Sequence, residues 1–289
     1  MGVTALSPSL TFNDSAVSTP HPFCAPRSMT VSLDAIACLA GSTPGSRIAA
    51  LIGDFAITRR HRKPGDYRFR AGAAFHFFYV LNSGFAKSCY VSEDGRERTT
   101  GVHFRGDILG HDGVATGSYG CDAVALNACE VLAIPYETVL ARCQNNPDLV
   151  HELHRAFSAE IRNDRDLLLS MTNLSADGRV ASFLLDVSVR SASRGFSATQ
   201  LQLHLTRQEI GSMLGLQLET VSRAFSHFAK LGLITVCLRD IVLLDRAGLL
   251  DLIAVTAEME RESKKISGRN FVCKTAGTAR AGSAAGCDG

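Results

Sequence analysis

Apolar and polar positions change rhythm twice along the chain. From about 53 to 135, short runs rich in β-branched and aromatic residues alternate with glycine-bearing breaks. Examples are "FHFFYVLNSGFAKSCYVSEDGRERTTGVHFRGDILG" and "CDAVALNACEVLAIP". Such runs, bounded by turn residues, predict strands. Gly65, Gly72, Gly84, Gly95, Gly106 and Gly110 recur at the spacing of an antiparallel sandwich or barrel. In "SEDGRE" the Asp-Gly pair supplies the positive φ angles of a tight hairpin. This part reads as a jelly-roll-like β domain.

Beyond Pro147 the period becomes helical. Val150, His154, Phe157, Ile161, Asp164, Leu168 and Met171 fall at alternating steps of four and three. That heptad spacing predicts a long helix whose seam suits pairing with a second copy of the chain. Phe157, Ile161, Asp164 and Leu168 are the candidate dimerisation residues; the alternative is a helix packed on its own β domain. Asp164 is the anomaly, because two facing carboxylates repel. It sits at the rim of the seam, or it weakens pairing so that a signal can tune it.

The third rhythm is in "TRQEIGSMLGLQLETVSRAF". Thr206 and Glu209 have the spacing of a capping box. Ile210, Met213 and Leu214 supply the dry face of the helix that follows, and Gly215 supplies a turn. A second helix starts near Leu218, with Val221, Phe225 and Phe228 facing inward and Glu219, Ser222, Arg223 and Ser226 facing out. The following "LGLITVCLRDIVLLD" predicts a β-hairpin turning near Arg239-Asp240. Helix, glycine turn, amphipathic helix and hairpin make a winged helix-turn-helix. Arg can grip guanine O6 and N7 in a fork, Glu can accept from cytosine N4, and Ser and Thr can touch thymine or phosphate. Arg207, at the start of the first helix, is a phosphate-contact candidate, and Thr206 belongs to the same set.

Composition narrows the classes without naming a partner. The chain has 289 residues, 46% hydrophobic and 20% charged, with a net charge of +2. Between Ser175 and Gly248, eight Arg/Lys stand against six Asp/Glu, so DNA binding rests on geometry and not on bulk charge. No run approaches the ~20 apolar residues of a membrane span, and the first 28 residues lack the pattern of a secretory signal. Nine cysteines, an odd number without paired spacing, point to a reducing cytoplasm.

The segments "GDILG", "IPYETV", "AEIRNDRDLLL" and "LTRQEIGSMLGLQLETVSRAFSHFAKLGLI" resemble the cyclic-AMP receptor protein/FNR (Crp/FNR) superfamily of bacterial transcription regulators, over about 59–250. "ETVSR" matches the Glu-x-x-Ser-Arg set of the FNR branch. The resemblance implies a homodimer reading TTGAT-type half-sites in an inverted repeat, with Glu219, Ser222 and Arg223 on base edges. It also implies control of low-oxygen or nitrogen-related genes, such as those of nitrogen fixation, by an activator. By resemblance, the turn from Ser92 to Arg98 is a candidate contact with RNA polymerase.

The expected cofactor is none. The segment matching the family's cyclic-phosphate loop holds no Arg between Gly106 and Leu140, which disfavours a cyclic nucleotide. Oxygen-responsive relatives hold a [4Fe–4S] cluster on three closely spaced N-terminal cysteines and a fourth in the β domain. Here only Cys24 and Cys38 precede that domain, so the clusterless FixK-like subgroup fits better. A rearranged cluster on Cys24, Cys38, Cys121 and Cys129, or haem on His76, His103 or His111, is the alternative. Cys237, on the proposed wing, is a candidate redox residue. No catalytic or metal-ligating set emerges. The expected order is a disordered arm 1–28, a β-roll 29–145, a dimerisation helix 146–172, a winged helix-turn-helix 173–250, and a helix remnant with disordered tail 251–289, an α+β chain overall.

Overall fold

The computed structural model describes residues 43–53 and 57–254. The arm 1–28, with Cys24, as well as Cys38 and the tail beyond 254, lie outside the described residues. Among the described residues a helix not foreseen from the sequence comes first: α1 (Pro44–Ile52) starts on a proline, which tolerates the first helical turn, and buries Ile48, Ala49 and Ile52. Its apolar residues form one unbroken run, Ile48 to Ile52, which shows no helical period.

The β domain follows as β1 (Thr58–Arg62), β2 (Tyr67–Phe69), β3 (Phe77–Ser83), β4 (Ala86–Val91), β5 (Glu97–His103), β6 (Ile108–Leu109), β7 (Asp122–Ala125) and β8 (Cys129–Pro135). These make two four-stranded antiparallel sheets, ordered β1-β8-β3-β6 and β2-β7-β4-β5. The Asp-Gly hairpin joins β4 to β5, with Gly95 at φ 78°. Val80, Leu81, Leu132, Ala133 and Ile134 are fully buried in the shared core. Each of these valine, leucine and isoleucine side chains contributes roughly 1.5–3 kcal/mol of burial.

Helix α2 (Tyr136–Cys143) leads into α3 (Pro147–Asn173), 27 residues long. The Asn146 side chain accepts from the Leu149 amide at 3.0 Å and fixes the start of α3. Leu149 and Leu153 plug its first half into the β core, and Phe157 tilts against Phe78 with ring centroids 6.0 Å apart. Phe157 therefore packs on its own β domain. Further along, Ile161 and Leu168 are 59% and 63% exposed. The uncovered part of the seam begins one turn later than the heptad pattern proposed.

The remainder comprises α4 (Ala176–Ala192), β9 (Gln200–Gln202), α5 (Arg207–Leu214), α6 (Leu218–Lys230), β10 (Ile234–Cys237), β11 (Asp240–Leu243) and a last helix over 246–254. A sheet ordered β10-β11-β9 backs the helices. The hairpin turn lies at Leu238-Arg239, one residue before the expected Arg239-Asp240. Cys237 pairs directly with Asp240, which leaves two residues for the turn and drives Leu238 to φ 54°. A second core joins these elements, and Val102 and Phe104 of the β domain belong to it. No described helix is long and apolar enough to cross a membrane.

Candidate nucleic-acid interface

Helix α5 begins with both halves of the capping box in place. The Glu209 amide donates to Thr206 Oγ1 at 3.2 Å, and the Thr206 amide donates to Glu209 Oε2 at 2.7 Å. The helix stops at Gly215, whose left-handed φ of 66° suits glycine. Gly211 is the tighter constraint: a Cβ there would lie 2.6 Å from the Leu216 carbonyl oxygen. That close approach brings α6 across α5. The sequence reading passed over Gly211, although a glycine four residues ahead of a terminating glycine is itself a packing signal.

Helix α6 separates its faces cleanly. Val221, Ala224, Phe225 and Phe228 are buried, whereas Glu219, Ser222, Arg223 and Ser226 are exposed together along one edge. Ser226 Oγ donates to the Ser222 carbonyl at 3.0 Å, which keeps that hydroxyl near the helix. Thr206 is exposed, but its hydroxyl is engaged in the cap. Arg207 does not reach outward; its guanidinium lies 3.5 Å above the Phe225 ring, and burial lowers its pKa. Cys237 is exposed at the end of β10.

The helix-turn-helix is docked on the β domain through contacts that the sequence did not reveal. Lys87 on β4 donates to Glu209 Oε1 at 2.7 Å and also to Glu97 Oε1, and Ser212 Oγ accepts from the Thr99 amide at 3.0 Å. Asp107, the acid of "GDILG", accepts from Arg190 of α4 at 2.7 Å and from Arg194 just beyond it. Arg190 also donates to the Val102 carbonyl at 2.9 Å and stacks 4.4 Å over Phe104. Only folding brings these partners together, so spacing carried no sign of them.

One consequence concerns access. The hairpin tip from Ser92 to Arg98, read as a polymerase contact, walls a cleft of about 1250 Å³ whose other side is Ser212, Gln217, Leu218 and Glu219. The start of the reading edge thus faces Glu93 and Asp94 across open space. Asp164 lines a separate cavity of about 470 Å³ between α3, α4 and β5, together with Glu160, His103 and Arg190.

The cysteines and histidines were tested against a cluster or haem. Among the described residues, no three His, Cys, Asp or Glu side chains group as a metal site. Burial pushes the Cys89 thiol up to about 12 and raises Cys121 and Cys129 as well, which disfavours the thiolate a cluster binds. His103 is fully buried with Nε2 3.1 Å from Ser88 Oγ, His111 packs near Phe157, and His76 faces solvent. Cys24 and Cys38, the other two thiols of the rearranged cluster, lie outside the described residues.

Two family models match: a Crp-like helix-turn-helix domain over residues 178–252 and a cyclic nucleotide-binding domain over residues 59–146. The transcriptional activator protein Anr of Pseudomonas aeruginosa is 38% identical over 191 residues, spanning 65% of this chain and 78% of that protein. The fumarate nitrate reduction regulatory protein of Klebsiella oxytoca is 38% identical over 172 residues, 60% of this chain and 69% of its own. The solved structure of FixK2 from Bradyrhizobium japonicum aligns at 26% identity with a TM-score of 0.63, covering 68% of this chain and 98% of that one.

Proposed function

Because the chain belongs to the Crp/FNR family of transcription regulators, we propose that it acts as a homodimeric activator of low-oxygen or nitrogen-related genes, reading TTGAT-type half-sites in an inverted repeat. Its class is that of a DNA-binding regulator and not an enzyme. The observation that carries the finer reading is the exposed Glu219-Ser222-Arg223 edge on a helix whose opposite face is dry. Set in a major groove, that edge can accept from cytosine and donate a fork to guanine, while backbone contacts fix the register. The hairpin from Ser92 to Arg98 is the surface read as contacting RNA polymerase.

Arg223→Ala is expected to cost roughly 1–3 kcal/mol at one guanine position and to relax the choice of base there. Titration of a consensus half-site pair and a guanine-substituted pair checks it. An unchanged preference between the two removes Arg223 from the reading set.

The dimer rests on Ile161 and Leu168, which leave an apolar strip uncovered on α3. The regulator is read as working without resident haem or cluster, a reading supported by the sequence, in which only Cys24 and Cys38 precede the β domain. Sedimentation followed at ultraviolet and visible wavelengths is expected to give twice the chain mass with no visible band, and Ile161→Arg to shift the protein towards monomer. A visible chromophore, or a variant that stays dimeric, contradicts this part.

A further inference from the structure

The two faces of β1 are provided for differently. On one face, Arg59 lies 3.5 Å and His61 4.0 Å from Glu130 Oε1 of β8. On the other stand Arg60 and Arg62, whose cross-strand partners Val131 and Cys129 belong to the core. Tyr79 of β3 pairs with Ala133 of the same strand, so alternation puts Tyr79 on that inner face too. Arg68 reaches it from the other sheet: its Nη2 donates to Tyr79 Oη at 2.6 Å and its guanidinium lies 3.8 Å over the ring. Three guanidiniums from β1 and β2 therefore share the space between the sheets.

Nothing among the described residues neutralises them. The Nε atoms of Arg60, Arg62 and Arg68 are all withdrawn from solvent without a hydrogen-bond partner. Asp66 and Asp122 accept from the Lys63 and Ala71 amides at 2.9 and 2.7 Å and form no ion pair with the three arginines. Burial, with Arg60 and Arg62 adding repulsion, lowers the pKa of Arg68. Buried unsatisfied donors are rare in folded proteins, and three cationic ones together are costly without a counter-charge. Strands β1 and β2 are both edges of their sheets and the three side chains are half-buried, so the cluster lies at a rim that solutes can reach.

We propose that Arg60, Arg62 and Arg68 bind a compact phosphate-type dianion, inorganic phosphate or the phosphate of a monoester. A tetrahedral oxyanion presents several acceptors that guanidinium forks match, and its two charges offset what one carboxylate cannot. The site takes its arginines from β1 and β2, because the segment between Gly106 and Leu140 holds none. It also stands independently of how the protein reads DNA.

Calorimetric titration of the full chain with inorganic phosphate, in a phosphate-free buffer at constant ionic strength, tests it. Saturable binding of one phosphate per chain is expected, with sulfate competing and succinate at least tenfold weaker. The Arg60→Gln/Arg62→Gln double variant is expected to lose at least tenfold in phosphate affinity and to lose the phosphate-induced rise in melting temperature. Arg59→Gln, on the opposite face of β1, keeps both. Because the double variant removes repulsion, it should melt in phosphate-free buffer no lower than the parent, which separates lost binding from lost folding. Phosphate heats no larger than those of chloride, binding that survives in the double variant, or succinate binding as tightly as phosphate each overturns the proposal.

Discussion

Two arginine clusters in this chain are handled in opposite ways. At the junction between the β domain and the winged helix, Arg190 and Arg194 converge on Asp107, which also accepts from the Phe104 amide at 2.8 Å. At the rim of the roll, Arg60, Arg62 and Arg68 have Nε atoms without partners and form no ion pair with a described carboxylate. Both groups hold guanidinium atoms out of water, the joint more completely than the half-buried rim. What differs is whether the chain supplies the counter-charge. Desolvating an ion costs several kcal/mol, and only attraction to a well-placed partner offsets it. At the junction that partner is internal, and the cluster acts as a joint. At the rim the cost stands until an anion arrives.

The largest expected effect breaks the joint. Asp107→Ala leaves two buried guanidiniums without a counter-charge, and roughly 3–5 kcal/mol of stability is expected to go. Urea unfolding of the full chain measures it. A loss below about 1 kcal/mol, the scale of an exposed pair, would mean that the two clusters are alike after all. Burial raises the Asp107 pKa, but Arg190 and Arg194 outweigh it and hold the group below its ordinary 3.8. A depressed carboxylate stabilises above its unfolded pKa, and that contribution fades as pH falls through the folded value. The Asp107 window therefore lies below pH 3.8.

A second acid response sharpens the comparison because it falls in another window. His103, beside the joint, is held at about 4 by burial, against an ordinary 6.5, with Asp107 partly opposing. On acidification the unfolded chain takes up its proton first, so stability falls between pH 6.5 and 4. The expected loss is roughly 3 kcal/mol over that interval. His103→Gln removes this slope and leaves the drop below pH 3.8. Stability measured at stepped pH distinguishes the two, and superimposable profiles for parent and variant would exonerate His103.

The winged helix was legible in the sequence because its determinants are local. Thr206 and Glu209 are three residues apart, Gly215 ends the helix they cap, and the faces of α6 alternate within thirteen residues. The strands were legible for the same reason, since glycines and a period of two mark them out. What escaped depends on distance along the chain. Lys87 and Glu209 are 122 residues apart, Asp107 and Arg190 83, and no spacing rule connects them. The cluster at the rim escaped for a different reason. "TRRHR" reads as a basic run on a strand, which would usually be solvated, and only the pairing with β8 shows that every second residue, Arg60 and Arg62, turns inward. Phe157 shows the limit of periodicity: it keeps the heptad step, yet the β domain claims it before a second copy could.

The smallest expected effect is the most discriminating, because it predicts a sign. Arg60→Gln, alone and in phosphate-free buffer of low ionic strength, is expected to raise stability by about 0.5–1 kcal/mol, the scale of a partly exposed charge interaction. Gln keeps part of the aliphatic stem, so the packing lost is small, while repulsion on Arg62 and Arg68 falls. Added chloride should narrow the gap between parent and variant, since screening relieves in the parent what the substitution removes. Thermal unfolding across a salt series reads both quantities. If Arg60→Gln destabilises at every salt concentration, the cation has a partner in the folded chain, and the rim would be a second joint.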